Sequence, residues 1–90
     1  MGLPRPLDVR VDEHGDPVIV ARAAHRGTPP IPARVESIED VWRVTEAWWR
    51  EAPQARTYYR VILDGGRLLT LFHDDEQHAW FEQRYPGGAR

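Results

Sequence analysis

The pair Gly65-Gly66 constrains the fold of this chain more than any other feature, because it separates two runs of strand-forming residues. The run "ARTYYRVILD" precedes the glycines and "RLLTLFH" follows them, and both are rich in aromatic and branched aliphatic residues. A two-residue glycine loop between such runs is typical of a tight β-hairpin. The sequence therefore predicts an antiparallel pair of strands at this point.

The strands of this hairpin divide their side chains between two faces, because successive residues on a strand point to opposite sides. Counting outward from the glycines pairs Leu63 with Leu68, Val61 with Thr70 and Tyr59 with Phe72. These six residues are predicted to form the core face. The opposite face is predicted to mix apolar and basic groups: Tyr58, Arg60, Ile62, Leu69, Leu71 and His73.

Two aromatic doublets follow the same rule of alternation. Tyr59 is expected in the core and its neighbour Tyr58 on the mixed face. The doublet Trp48-Trp49 is expected to divide in the same way, with Trp48 as the core member. The rings on the mixed face are then free for a function.

Further strand signals lie on both sides of this hairpin. "LDVRV", the turn sequence "DEHGDP" and "VIVARA" predict a second hairpin near the start of the chain. "DDEQ" turns the chain into "HAWFEQRY", a last strand that sends Trp80 and Phe81 to opposite faces. The fold class predicted is all-β, with about six antiparallel strands in a small barrel or curled roll that ends in a three-stranded meander.

The segment "RVESIEDVWRV" supports two interpretations. Ser37 and Asp40 imitate a helix capping box, and an apolar stripe follows at helical spacing. Val, Ile and Trp favour strands instead, and the hairpins need a partner. A strand with a bulge is preferred for this segment, and helix and strand both stay open over residues 37–51. The preceding "HRGTPPIP" is predicted to be a rigid connector because prolines lack an N–H and restrict their neighbours.

Composition limits the classes of protein to which the chain can belong. Its 90 residues fit a single domain over 1–90, with an ordered core at about 5–86. It has no cysteine, which excludes disulfides and thiolate metal sites. No apolar run approaches the roughly 18 residues of a membrane span, and the first residues lack a signal region, so a cytoplasmic location without membrane association is expected.

Catalytic and metal sites are not predicted. The one serine, Ser37, has no histidine near it in sequence, and no glycine-rich phosphate loop is present. In "HDDEQH", a four-residue turn would place His73 opposite His78, and Asp74 or Asp75 could add an oxygen ligand. The preferred interpretation is a solvated turn. No enzyme activity, metal or cofactor is therefore expected.

Arginine residues are interspersed among aromatic residues from Trp42 to Arg60, and the functional prediction depends on this pattern. Such residues are enriched at protein-binding hot spots, and they also form single-stranded nucleic acid binding surfaces. A third interpretation is that the rings fill the core and arginine stems cover them. The net charge of −2 favours a protein partner, with nucleic acid as the alternative. The candidate binding residues are Arg43, Trp49, Tyr58, Arg60, Trp80 and Arg84.

The order "VWRVTEAWWRE", "YYRVILDGGRLLTLF", "WFEQRY" resembles an uncharacterised family of small bacterial domains. Similar modules end the ImuB-type proteins, which are catalytically dead relatives of Y-family polymerases in error-prone repair complexes. The resemblance spans roughly residues 5 to 86, although His73 stands where the family pattern has arginine. It implies a non-catalytic adaptor associated with DNA damage tolerance. The matching elements are Trp42-Arg43, Trp48-Trp49, Tyr58-Tyr59-Arg60, Gly65-Gly66 and Trp80-Phe81.

Overall fold

Six antiparallel strands close into a barrel in the computed structural model, which describes residues 4–22, 27, 29–46 and 54–83. Each strand pairs with the next one in sequence, and the first pairs with the last. The predicted all-β fold, the number of strands and the C-terminal meander are confirmed. No helix in these residues could span a membrane. The strands are β1 Arg5–Val11, β2 Pro17–Arg22, β3 Ala33–Glu46, β4 Gln54–Leu63, β5 Leu68–Asp74 and β6 Ala79–Glu82.

The predicted hairpin near the start of the chain is formed by β1 and β2. Asp12 organises its turn, because one carboxylate oxygen accepts the backbone N–H of His14 at 2.8 Å and of Asp16 at 3.0 Å. Gly15 has a φ of 84°, a conformation that glycine adopts without steric cost. The turn chemistry of "DEHGDP" therefore acts through local hydrogen bonds, as the sequence predicted.

β3 is a strand with two register shifts, between Val35 and Ser37 and between Ile38 and Asp40. The preferred interpretation of this segment is confirmed for residues 37–46. The helical alternative is wrong there, because these residues pair with β4 as an antiparallel strand. Residues 47–51, including Trp48 and Trp49, lie outside the described residues.

The register of β4 against β5 differs by one residue from the prediction. Tyr59 lies opposite Leu71, and Tyr58 lies opposite Phe72. The loop is longer than two glycines, because the Leu63 N–H donates to the carbonyl oxygen of Arg67 at 2.8 Å. A slip of one residue moves every side chain of a strand to the other face. The predicted faces are therefore correct for β4 and reversed for β5.

The core lies inside the barrel and draws on all six strands. On β5, Leu71 is fully buried and Leu68 is 60% exposed, which reverses their predicted positions. Phe72 is also buried, but it lies on the outer side of the barrel wall, because it is opposite Tyr58. The buried inner cluster is Leu7, Val20, Tyr59, Val61, Leu63 and Leu71, with Val9, Ala33, Val35, Ile38, Leu69 and Trp80 packed against it.

Candidate functional site

Four aromatic side chains form a row across the outside of the barrel. The strand register places Trp42 of β3 opposite Tyr58 of β4, Tyr58 opposite Phe72 of β5, and Phe72 opposite Phe81 of β6. Since Tyr59 points into the core, its neighbour Tyr58 points outward, and cross-strand partners share its face. We call these four residues the outer aromatic row.

The rings of the outer aromatic row contact one another in sequence. Centroids of Trp42 and Tyr58 are 5.3 Å apart and the ring planes differ by 6°. Tyr58 and Phe72 are 5.1 Å apart at 41°, and Phe72 and Phe81 are 5.3 Å apart at 24°. Phe72 is only 2% exposed because its neighbours cover it, whereas the other three rings are half-buried. The row is thus packed at its centre and accessible elsewhere.

Two arginines cover parts of this row. The guanidinium carbon of Arg56 lies 4.9 Å from the ring centroid of Phe72, and that of Arg60 lies 5.8 Å from the ring centroid of Trp42. Both distances fit a cation–π interaction. Arg56 and Arg60 share the outer face of β4 with Tyr58, because every second residue of a strand points to the same side.

Neither arginine forms an ion pair with a described residue. Arg56 lies opposite Asp74 on β5, but the Asp74 carboxylate accepts the backbone N–H groups of Glu76 and Gln77, each at 3.0 Å. The Asp74 carboxylate therefore stabilises the turn that follows β5. The Nε of Arg56 is buried and has no hydrogen-bond partner among the described residues. The surface made by the outer aromatic row, Arg56 and Arg60 thus carries two arginines that form no direct ion pair with a described residue.

Of the four predicted binding residues that the structure describes, two lie on this surface, namely Tyr58 and Arg60. Trp80 lies on the inner face, where its ring is 5.5 Å from that of Tyr59. Arg43 lies opposite Thr57, on the face opposite to Tyr58, so it is also separated from the surface. Trp49 and Arg84 lie outside the described residues.

Sequence reasoning missed four members of the surface. Phe72 was placed in the core by the wrong hairpin register. Phe81 was correctly separated from Trp80, but only the register of β6 against β5 brings it beside Phe72. Alternation relative to Tyr59 on β4 identifies Arg56, whereas the other three also require the register of their strands. They are Trp42, Phe72, Phe81 and Arg56.

A polar cluster lies at one end of the barrel, and we call it the mouth cluster. Asp75 is its centre: it accepts a hydrogen bond from the Thr57 hydroxyl at 3.3 Å and contacts Nδ1 of His73 at 2.7 Å. Arg43 adds an ion pair to the same carboxylate at 3.2 Å. The groups lie beside a cavity of about 290 Å³ that Tyr59 also lines. These polar groups form hydrogen bonds and an ion pair with one another, so the presence of the mouth cluster is explained by its contribution to the fold.

His73 does not lie opposite His78, the arrangement that a metal site would require, and its predicted place on the mixed face is wrong. Asp74 pairs with Ala79, so His73 lies opposite Trp80, on the inner face and not on the face of Tyr58. His78 lies in the turn and has a φ of 56°. The centroids of the two imidazole rings are 6.2 Å apart. No three or more metal-ligating side chains come together within the part of the chain that the structure describes.

Comparison of the chain with protein-family models, with curated protein sequences and with solved structures finds no match.

Proposed function

We propose that this protein is a non-catalytic protein-interaction module that binds its partner through the outer aromatic row, Arg56 and Arg60. The observation that carries the proposal is a packed line of rings on the solvent side of a barrel, with two arginines that form no ion pair with a described residue. Aromatic residues and arginine dominate binding hot spots, which have a well-packed centre. Buried Phe72 supplies that centre here, and Trp42, Tyr58 and Phe81 supply accessible rings around it.

The surface favours a partner segment that combines apolar and acidic side chains. Arg56 and Arg60 form no ion pair with a described residue, and carboxylates of a partner would pair with them. Hydrogen bonds between guanidinium and carboxylate are stronger than neutral ones, particularly where water is excluded. The resemblance to ImuB-type modules directs the first search to proteins of error-prone repair complexes, in which this module would serve as an adaptor.

Single-stranded nucleic acid binding remains the second candidate, because the surface does combine rings with arginines. That function requires ring faces on which bases can stack. Here Trp42 and Tyr58 cover one another at 6° from parallel, and Phe72 is 2% exposed. Asp40 also lies opposite Arg60 on the same face, which reduces the local attraction for phosphate. These contacts support a protein partner over a nucleic acid.

Site-specific photo-crosslinking in the native host tests the proposal. A photoreactive amino acid replaces Thr70, which lies opposite Arg60 on the outer face, or Asp8, an exposed residue of β1 that serves as the control. We expect a protein adduct from position 70 and none from position 8. Arg60→Glu should remove the adduct, whereas Arg10→Glu, a matched reversal on β1, should retain it.

Two results would contradict the proposal. Equal adducts from positions 70 and 8 would mean that the outer surface has no particular partner. An adduct at position 70 that nuclease removes would instead support the nucleic acid alternative. Thermal denaturation of the Arg60→Glu and Arg10→Glu variants checks that both remain folded, since both positions are exposed.

A further inference from the structure

The end of the barrel opposite to the mouth cluster carries a second cavity, a cleft of about 760 Å³. It lies where β1 begins, β2 ends, β4 ends and β5 begins, and we call it the end cleft. Its floor includes the core residues Leu7, Val20 and Leu63, which are at most 8% exposed. The connector residues Pro29, Pro30 and Ile31, together with Leu68 and Leu69, add further apolar lining.

Among the described residues, the charged side chains that line the end cleft are three arginines and one glutamate. Arg22 donates two hydrogen bonds to the Glu82 carboxylate, at 3.1 and 3.2 Å, so these two charges neutralise one another. Arg5 and Arg67 form no ion pair with a described residue. The cleft is therefore locally positive, whereas the whole chain has a net charge of −2. A ligand that fits both features would combine an apolar part with a negative charge.

We propose that the end cleft binds a small amphipathic carboxylate, an apolar chain that carries one carboxylate group. The apolar chain lies against the floor of the barrel, where it replaces water on apolar surface. The carboxylate lies at the rim, where Arg5 and Arg67 supply charge-assisted hydrogen bonds. A volume of about 760 Å³ lies within the range of small-molecule sites, which are mostly apolar with a few polar groups. This site is separate from the outer surface of the proposed function and does not depend on it.

Isothermal titration calorimetry with octanoate and decanoate, below the concentrations at which they form micelles, tests the proposal. Affinity should rise about fourfold for each added methylene, because each buried methylene contributes a fixed share of transfer free energy. Arg67→Glu and Arg5→Glu should each weaken decanoate binding at least about tenfold. The matched control Arg10→Glu, an exposed arginine of β1 outside the cleft, should leave the affinity unchanged.

The apolar requirement has its own control. Ile31 is 83% exposed and lines the cleft, so Ile31→Ser should weaken decanoate binding without affecting the fold. Absence of decanoate binding to the unmodified protein would overturn the proposal. Equal affinity for octanoate and 1-octanol would overturn the role of the arginines. Binding of sulfate as tight as that of octanoate would overturn the role of the apolar floor.

Discussion

Trp42 and Tyr58 lie opposite one another on β3 and β4, and their rings stack with centroids 5.3 Å apart and planes 6° from parallel. Phe72 and Phe81 continue this contact over β5 and β6. The outside of the barrel therefore has a packed aromatic layer of its own, in addition to the core within. Rings of this layer contribute both to stability and to the proposed docking surface.

A double-mutant cycle should detect the contact between Trp42 and Tyr58. We expect a coupling of about 0.5–1.5 kcal/mol in the free energy of unfolding, as found for aromatic pairs beyond their buried area. Chemical denaturation of both alanine variants and the double variant measures it. Trp42 and Phe81 serve as the control pair, because two strands separate them and distant sites are additive within about 0.5 kcal/mol. Equal coupling in both pairs would contradict direct stacking.

The doublet Tyr58-Tyr59 should give two different losses of stability. Tyr59 is 9% exposed in the inner cluster, so Tyr59→Ala should cost about 3–5 kcal/mol, as for other large buried rings. Tyr58→Ala should cost about 1–2 kcal/mol, because Tyr58 is half-buried and contacts two rings. Denaturation of both variants measures the difference. Equal costs would mean that the inner and outer faces are buried alike.

Stability should fall at high pH because of Tyr59. Burial, followed by the charges of Asp16, Asp75 and Asp12, raises the pKa of Tyr59 above its ordinary value of 10.0. The folded state therefore retains this proton more strongly than the unfolded state. The resulting stabilisation is fully present below about pH 10 and is lost as the pH rises through the higher folded pKa.

Tyr59→Phe removes this titration and isolates its contribution. We expect the free energy of unfolding of the unmodified protein, relative to Tyr59→Phe, to fall as the pH rises above about 10. Tyr58→Phe serves as the control and should retain the fall. Chemical denaturation at several pH values measures all three proteins. A constant difference between the unmodified protein and Tyr59→Phe would exclude Tyr59 as the cause.

Most of the fold could be predicted from the sequence because its signals are local. Alternation and turn chemistry identified the hairpins, and strand-forming residues outweighed the imitation of a capping box at Ser37. The length of the loop at Gly65-Gly66 was not predictable from two glycines. Both have positive φ, but Asp64 belongs to the loop as well, since the Leu63 N–H pairs with Arg67. One added loop residue reversed the predicted faces of β5.

The candidate site was harder to predict because it depends on register over four strands. Tyr58 and Arg60 were found from alternation within β4 alone. Phe72 and Phe81 join them only when β5 and β6 are correctly paired. Trp80 was proposed as a binding residue from its type and not from its face. Residue composition indicated an aromatic and arginine surface, but long-range pairing determines its members.

The last prediction concerns Asp75, which organises the mouth cluster. Its carboxylate contacts Thr57, His73 and Arg43, and its side chain is 28% exposed. Asp75→Ala should lower the free energy of unfolding by about 1–3 kcal/mol, because it leaves the partly buried Thr57 hydroxyl and His73 ring without this partner. Arg43→Ala should cost less than about 1 kcal/mol, since the Arg43 side chain is 63% exposed and its ion pair is screened by solvent.

Arg43→Ala and Arg60→Glu together separate an effect on stability from an effect on docking. Arg43 and Asp75 lie on the inner side of the barrel wall, away from the outer aromatic row, so Arg43→Ala should retain the crosslink from position 70. Arg60→Glu should lose the crosslink while its unfolding free energy changes little, because Arg60 is exposed. Denaturation and crosslinking of both variants under the same conditions provide the comparison. Loss of the crosslink in Arg43→Ala, with the fold intact, would move the docking surface from the outer wall to the mouth of the barrel.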